Sequence, residues 1–413
     1  MRSASRTAPA AYWASVADCL QPLTERFPDL GTFLLRELTG VTQGCPSLRA
    51  ADNAGFALDA AGMTARPSWA ALREGARPQR QEDEDREPGE WAHGWQFYGS
   101  NALEQLEHSQ LLDALRFRTP AGPAPGPARL RSCAGRASGV WLRTCPCSPA
   151  LRLANADMLC ALRLRLGLPL AHTGGRCEGC RARLDPYGYH RLACRLSGRA
   201  HARHYGLVQA WRQVFVEAGG SVPRRNVERL LRDTPVVVPP DDQRRLDLVV
   251  PGTGLHRGVP LLCDATCVTP ITGTGLARLG CLTVDGGAVG AATSRCRADY
   301  AEVVASPAAH LLCLGVEVFG RWGQDALATV PALARERARG LPARVRRGTQ
   351  LRLQLRWWGL LGLATQRAVA HAALRERDAD LAEAALERVP WLICLSSYVA
   401  RPPAAADARR RAA

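Results

Sequence analysis

A mixed α/β fold is what this sequence predicts: a mainly helical first part, a small metal-binding knuckle, an α/β core and a helical tail. Three observations carry that expectation. Between Cys177 and Cys194 the spacing C-x2-C-x9-H-x3-C marks a short loop closed on a metal. From 198 to 320, runs with helical and with strand character follow in the order helix, strands, helix, strand. On either side of these regions the apolar residues recur at helical spacing.

Composition narrows the class. A hydrophobic fraction of 46% with 22% charged residues, over 413 positions, suits globular domains with proper cores. The net charge of +16 favours a polyanionic partner, nucleic acid or an anionic membrane surface. No lysine occurs, so all 54 basic residues are arginine and no mechanism can use a lysine base. The 15 cysteines are odd in number, scattered and preceded by no secretory signal, which predicts an intracellular chain of reduced thiols with one cluster holding metal. No uncharged apolar run approaches the ~20 residues of a membrane span, so no membrane insertion is expected.

The elements follow in order. Residues 1–120 read as a helical region of open role, with short patterns at Ala11–Leu20, Asp29–Leu38 and Ser68–Glu74. The run 77–90, RPQRQEDEDREPGE, reads as a charged, solvated loop. A helix is expected over Asn101–Phe117, with Asn101 as N-cap and Leu103, Leu106, Leu111, Leu112 and Leu115 on its apolar face. Residues 121–196 combine the linker Thr119–Pro127, a helix over Arg129–Trp141, a second helix from Ser148-Pro149 to Leu166, and the knuckle. Cys145-Pro146-Cys147 has no partner pair and is left out of the metal assignment. Residues 197–320 carry a helix over Gly198–Ala218, strands at Leu246–Val250 and Val259–Val268, a helix over Ala291–Ala305 and a strand over Ala309–Phe319. Residues 321–413 form the helical tail: Gln324–Arg339, then an Arg-rich pattern from Thr349 to Arg388, with Arg409–Arg411 near the end.

Two groups of residues carry chemistry. Cys177 and Cys180 on one turn, with His190 and Cys194 about one helical turn apart, can close a tetrahedron on zinc. Asp185-Pro186-Tyr187-Gly188 supplies the turn between the halves. In the core, Asp247 lies inside one apolar strand and Asp264 inside the next. A carboxylate there is costly unless paired or metal-bound, and two on adjacent strands can share magnesium. The competing reading is that they face solvent or pair with Arg244 or Arg245.

The series Cys177, Cys180, Asp185, Gly188, His190, Leu192, Cys194, then Arg203-His204, Arg244-Arg245-Leu246-Asp247 and Asp264-Ala265-Thr266, resembles the C-terminal part of non-LTR retrotransposon polyproteins of the restriction-like-endonuclease type. The resemblance covers roughly 130–320 and implies a CCHC zinc knuckle before a restriction-endonuclease-like αβββαβ core that cleaves DNA. It implies catalytic roles for Asp247 and Asp264 as magnesium ligands, with Leu246 standing in the family's Pro position and Thr266 where the wider superfamily has lysine. Arg297, three before Tyr300, matches a basic residue that substitutes for that lysine, as electrostatic support only. The family's polymerase motif is absent: Asp241-Asp242 follows Val238-Pro239-Pro240, which does not suit a strand turn. The expectation is therefore a retroelement-derived protein that binds DNA or RNA through Arg-rich surfaces. Its core is a magnesium-dependent nuclease or, alternatively, only the scaffold of a non-catalytic zinc-containing nucleic-acid-binding protein, or the chain is a decayed retrotransposon fragment.

Overall fold

A computed structural model describes residues 4–40, 45–63, 66–78, 94–116, 125–170, 175–223 and 228–374. Most of the charged run 77–90, the first part of the Thr119–Pro127 linker, and the Arg-rich sequence beyond 374 lie outside the described residues. The fold is mixed α/β and mostly helical, with small sheets. The chain divides into two compact units, 1–117 and 118–413.

The first unit is helical: α1 (Ala4–Arg26), α2 (Pro28–Leu38), α3 (Pro46–Ala60), α4 (Trp69–Arg73) and α5 (Trp95–Arg116). Its core is organised by Trp13, whose ring lies 5.8 Å from Trp69 and 5.7 Å from Trp95. Each such fully buried large side chain contributes roughly 1.5–3 kcal/mol or more. That packing corrects the expected start of α5. The helix begins at the buried Trp95, so Asn101 is interior and caps nothing. Ser68 does act as an N-cap, its Oγ accepting from Ala71 N–H at 3.2 Å. Helix α3, which begins with Pro46 at its N-terminus, was not anticipated.

The second unit opens with α6 (Pro125–Cys133), so Pro125–Pro127 belong to a helix rather than to the linker. Pro149 starts only a 3-10 turn, Pro149–Leu151, because Leu151 is buried and the chain then runs extended to Ala154. Helix α7 (Asn155–Leu166) follows and ends on Gly167 at φ +69°, a left-handed stop. Next come α8 (Tyr189–Ala193) and α9 (Arg199–Glu217), then β1 (Arg229–Leu230), β2 (Arg245–Leu246), β3 (Leu248–Val250) and β4 (Leu261–Val268). Helices α10 (Gly287–Asp299) and α11 (Ala301–Ala305) lead to β5 (His310–Glu317), and α12 (Gln324–Ala338) and α13 (Ala343–Ala373) complete the described chain.

β1 pairs with β2, while β3, β4 and β5 form a second sheet in that order. β3 is antiparallel to β4, and β4 is parallel to β5, as the intervening α10–α11 crossover requires. Strand alternation decides the layers. Leu261, Cys263 and Ala265 join the core of α9, α12 and α13 around Trp211, Phe215, Trp322 and Trp357. Leu262 turns the other way, to Cys296, Tyr300 and Val303 of α10 and α11. The expected 246–250 strand is interrupted at Asp247. The 31-residue α13 packs against α9, α12 and α7 and begins before Thr349. Among the described residues no helix is long and apolar enough to cross a membrane.

Candidate functional site

The segment 175–194 is shaped by its own backbone. Arg176 and Arg183 form an antiparallel bridge, Cys177 N–H donates to Ala182 O at 2.8 Å, and Leu184 N–H to Gly175 O at 2.9 Å. A Cβ on Gly179 would lie 2.4 Å from the Leu196 backbone, so the C-x2-C turn needs glycine there. The Asp185 carboxylate accepts N–H groups from Tyr187, Tyr189 and His190 at 2.9, 3.1 and 2.7 Å. It thereby caps α8, the short helix that sets His190 one turn before Cys194.

The ligand atoms of Cys177, Cys180, His190 and Cys194 all lie within 4.8 Å of one another. Cys177 Sγ is 3.7 Å from Cys194 Sγ, and Cys194 Sγ is 3.8 Å from Cys180 Sγ. A tetrahedron with metal–sulfur bonds of ~2.3 Å has S···S edges of about 3.8 Å, so the set is compatible with zinc. His190 Nδ1 sits 3.2 Å from Gly273 O, a carbonyl that orients Nε2 toward the cysteines. Burial raises the Cys177 thiol, yet the N–H groups of Cys180 and Gly179, with His190 and Cys194, outweigh it and hold it down to about 6.

Arginines fasten this segment to the core. Buried Arg203 of α9 donates to Leu192 O at 3.0 Å and to Cys267 O at 3.1 Å, joining α8 to the end of β4. Arg191 donates to Ala373 O and Arg199 to Leu374 O, both at 2.7 Å. These bonds satisfy free carbonyls at the negative end of α13.

The acidic pair is assembled by the sheet. Asp247 lies just before β3, whose pairing with β4 begins at Leu248 opposite Cys263, and Asp264 is the next residue of β4. The ladder slips there, because Asp247 N–H donates to Cys263 O at 3.1 Å. Asp247 Oδ2 accepts Ala265 N–H at 2.6 Å, and Oδ1 lies 2.9 Å from His204 Nε2 of α9. The neighbouring arginines are held by other acids: Arg244 by Asp242 at 2.6 Å and Glu302 at 3.0 Å, Arg245 by Glu228 at 3.8 Å. Burial, then the charge of Asp247, pushes the Asp264 carboxyl up to about 6 against the opposing pull of His204 and Cys296. His204 is raised first by its hydrogen bond to Asp247.

Two adjoining hollows, of about 460 and 480 Å³, share Thr266 and Arg295. Ala193, Arg195, Arg203, His204 and Arg278 line the first; Asp264, Cys296, Asp299 and Tyr300 line the second. Arg297 is on α10, as expected, but is not among these lining residues. Helix α10 turns Ala292, Arg295, Cys296 and Asp299 to the cleft, and Arg297 lies about 200° round the helix from Arg295. Its guanidinium binds Asp325 at 2.8 Å. Sequence reasoning thus missed Arg295 and the Asp247 partner His204. The motif dipeptide Arg203-His204 was the available signal, but only packing shows what it touches. No protein-family model matches the chain, and a search of the curated proteins found no match.

Proposed function

We propose that this chain is a retroelement-derived DNA-binding phosphodiesterase, with a zinc knuckle at Cys177, Cys180, His190 and Cys194 set against a restriction-endonuclease-like core. The observation that carries this reading is that Asp247, whose carboxylate accepts Ala265 N–H, sits near enough to Asp264 for its charge to raise that carboxyl, and that Asp264 lines a cleft together with arginines. The all-oxygen donor pair suits magnesium, and the burial and Asp247 charge that raise Asp264 are costs a bound cation offsets. Asp247 and Asp264 would hold that ion, which when bound supplies Lewis-acid charge and a water of lowered pKa. His204 and Ala265 N–H hold Asp247 in place. Arg295, on the cleft wall, offsets charge developing on the phosphate.

A second reading has its own observation. Both oxygens of Asp247 already have protein partners, and Thr266 stands in the lysine position, which favours a non-catalytic nucleic-acid-binding scaffold. Supercoiled plasmid with Mg²⁺ or Mn²⁺ separates the two. The nuclease reading expects nicking by the native chain that is lost in Asp264→Ala. Nicking that persists equally in Asp264→Ala, or DNA binding with no nicking by the native chain, decides for the scaffold.

A further inference from the structure

We infer that Arg195, Arg278 and Arg295 form a three-point phosphate clamp that seats a single DNA strand in the cleft beside Asp264. The three come from separate elements: the chain just after Cys194, the loop following β4, and α10. All three are exposed, and all line the same hollow. Among the described residues the guanidinium groups of Arg195 and Arg295 have no hydrogen-bond or ion-pair partner, whereas Arg278 is steadied by its Nε–H bond to Thr269 O at 2.8 Å. They contrast with the cleft's engaged arginines: Arg203 is taken up by two carbonyls and Arg244 by two acids. Three like charges around the first hollow, which no acidic residue lines, favour an anion with spaced charges. The hollow runs on through Thr266 and Arg295 into the one holding Asp264, so the anion must be extended. A chain of phosphodiesters meets both conditions. Hollows of 460 and 480 Å³ suit a nucleotide or two of one strand rather than the width of a duplex.

This inference takes its substrate class from the phosphodiesterase reading, and its test is read by binding alone. Zinc-loaded full chain carrying Asp264→Asn is titrated with a fluorescent 20-nucleotide DNA strand, without magnesium, across a salt series. The triple variant Arg195→Gln, Arg278→Gln, Arg295→Gln is expected to lose 10- to 100-fold in affinity at 0.1 M salt. Its plot of log affinity against log salt should flatten by about 2, from three phosphates at ~0.7 each. A control variant removes the same charge from exposed arginines outside the cleft: Arg337→Gln, Arg344→Gln, Arg352→Gln. It should lose less than threefold. Unchanged binding in the cleft variant, equal losses in both variants, or polyglutamate competing as well as DNA at equal charge would each overturn the clamp. A chain that binds in this way yet never nicks plasmid overturns the nuclease reading and leaves the clamp standing.

Discussion

The Cys177–Cys194 cluster draws its four ligand atoms from one short segment, held by that segment's own hydrogen bonds. The Asp247–Asp264 pair draws on β3, β4, α9 and α10, elements spread from residue 199 to 299. The first therefore depends mainly on the shape of its own loop. The second exists only while the sheet register and both helix faces hold. What differs is whether a site is made by local chain geometry or by tertiary packing, and the two respond to different perturbations.

The largest effect expected is on the local site. Cys194→Ser should bring bound zinc, measured by atomic absorption, from about one per chain to near zero, removing a contribution on the order of 10 kcal/mol of metal binding energy. Asp264→Asn should leave zinc content unchanged. Equal zinc loss in both variants would break the contrast, since the two sites would then be one cooperative unit.

The acidic pair should show itself through pH. Asp264 is raised to about 6 in the folded chain, so the native state holds its proton more tightly than the unfolded chain, whose carboxyl titrates near 3.8. The stability this contributes is complete below 3.8 and is lost as pH rises through about 6. Without added divalent cation, urea denaturation of the native chain should lose about 2 kcal/mol between pH 4 and 7 relative to Asp264→Asn. Parallel pH profiles for the two proteins would show that Asp264 is not buried against Asp247.

A smaller effect tests the joint between the regions. Arg203→Ala removes the bonds to Leu192 O and Cys267 O from a buried position, and should cost about 2–3 kcal/mol in thermal or urea unfolding. Zinc content at saturating metal should stay at one per chain, because no ligand is touched. Loss of zinc in that variant would mean the cluster depends on the core for its shape.

How much was legible follows the same division. Cys177, Cys180, His190 and Cys194 were readable because ligand spacing on a turn and a short helix is itself the geometry. β4, β5 and α12 were close to expectation because buried strands and amphipathic helices carry their period in the sequence. The start of α5 was misplaced because Trp95 is drawn in by Trp13, a contact no local window contains. The resemblance gives Arg297 the role of electrostatic support, but a motif match ignores helix rotation, and its side chain lies with Asp325 instead.

The order of amino acids by itself determined which four Cys and His side chains cluster, the mixed α/β class, the arginine-only basicity and the exclusion of lysine chemistry, since each depends on residue identity and short spacing. Only the tertiary structure decided that His204 holds Asp247, that Arg295 and not Arg297 lines the cleft, and that the cluster segment and α10 share one hollow. Those facts depend on sheet register and helix rotation, which are settled by burial across distant parts of the chain.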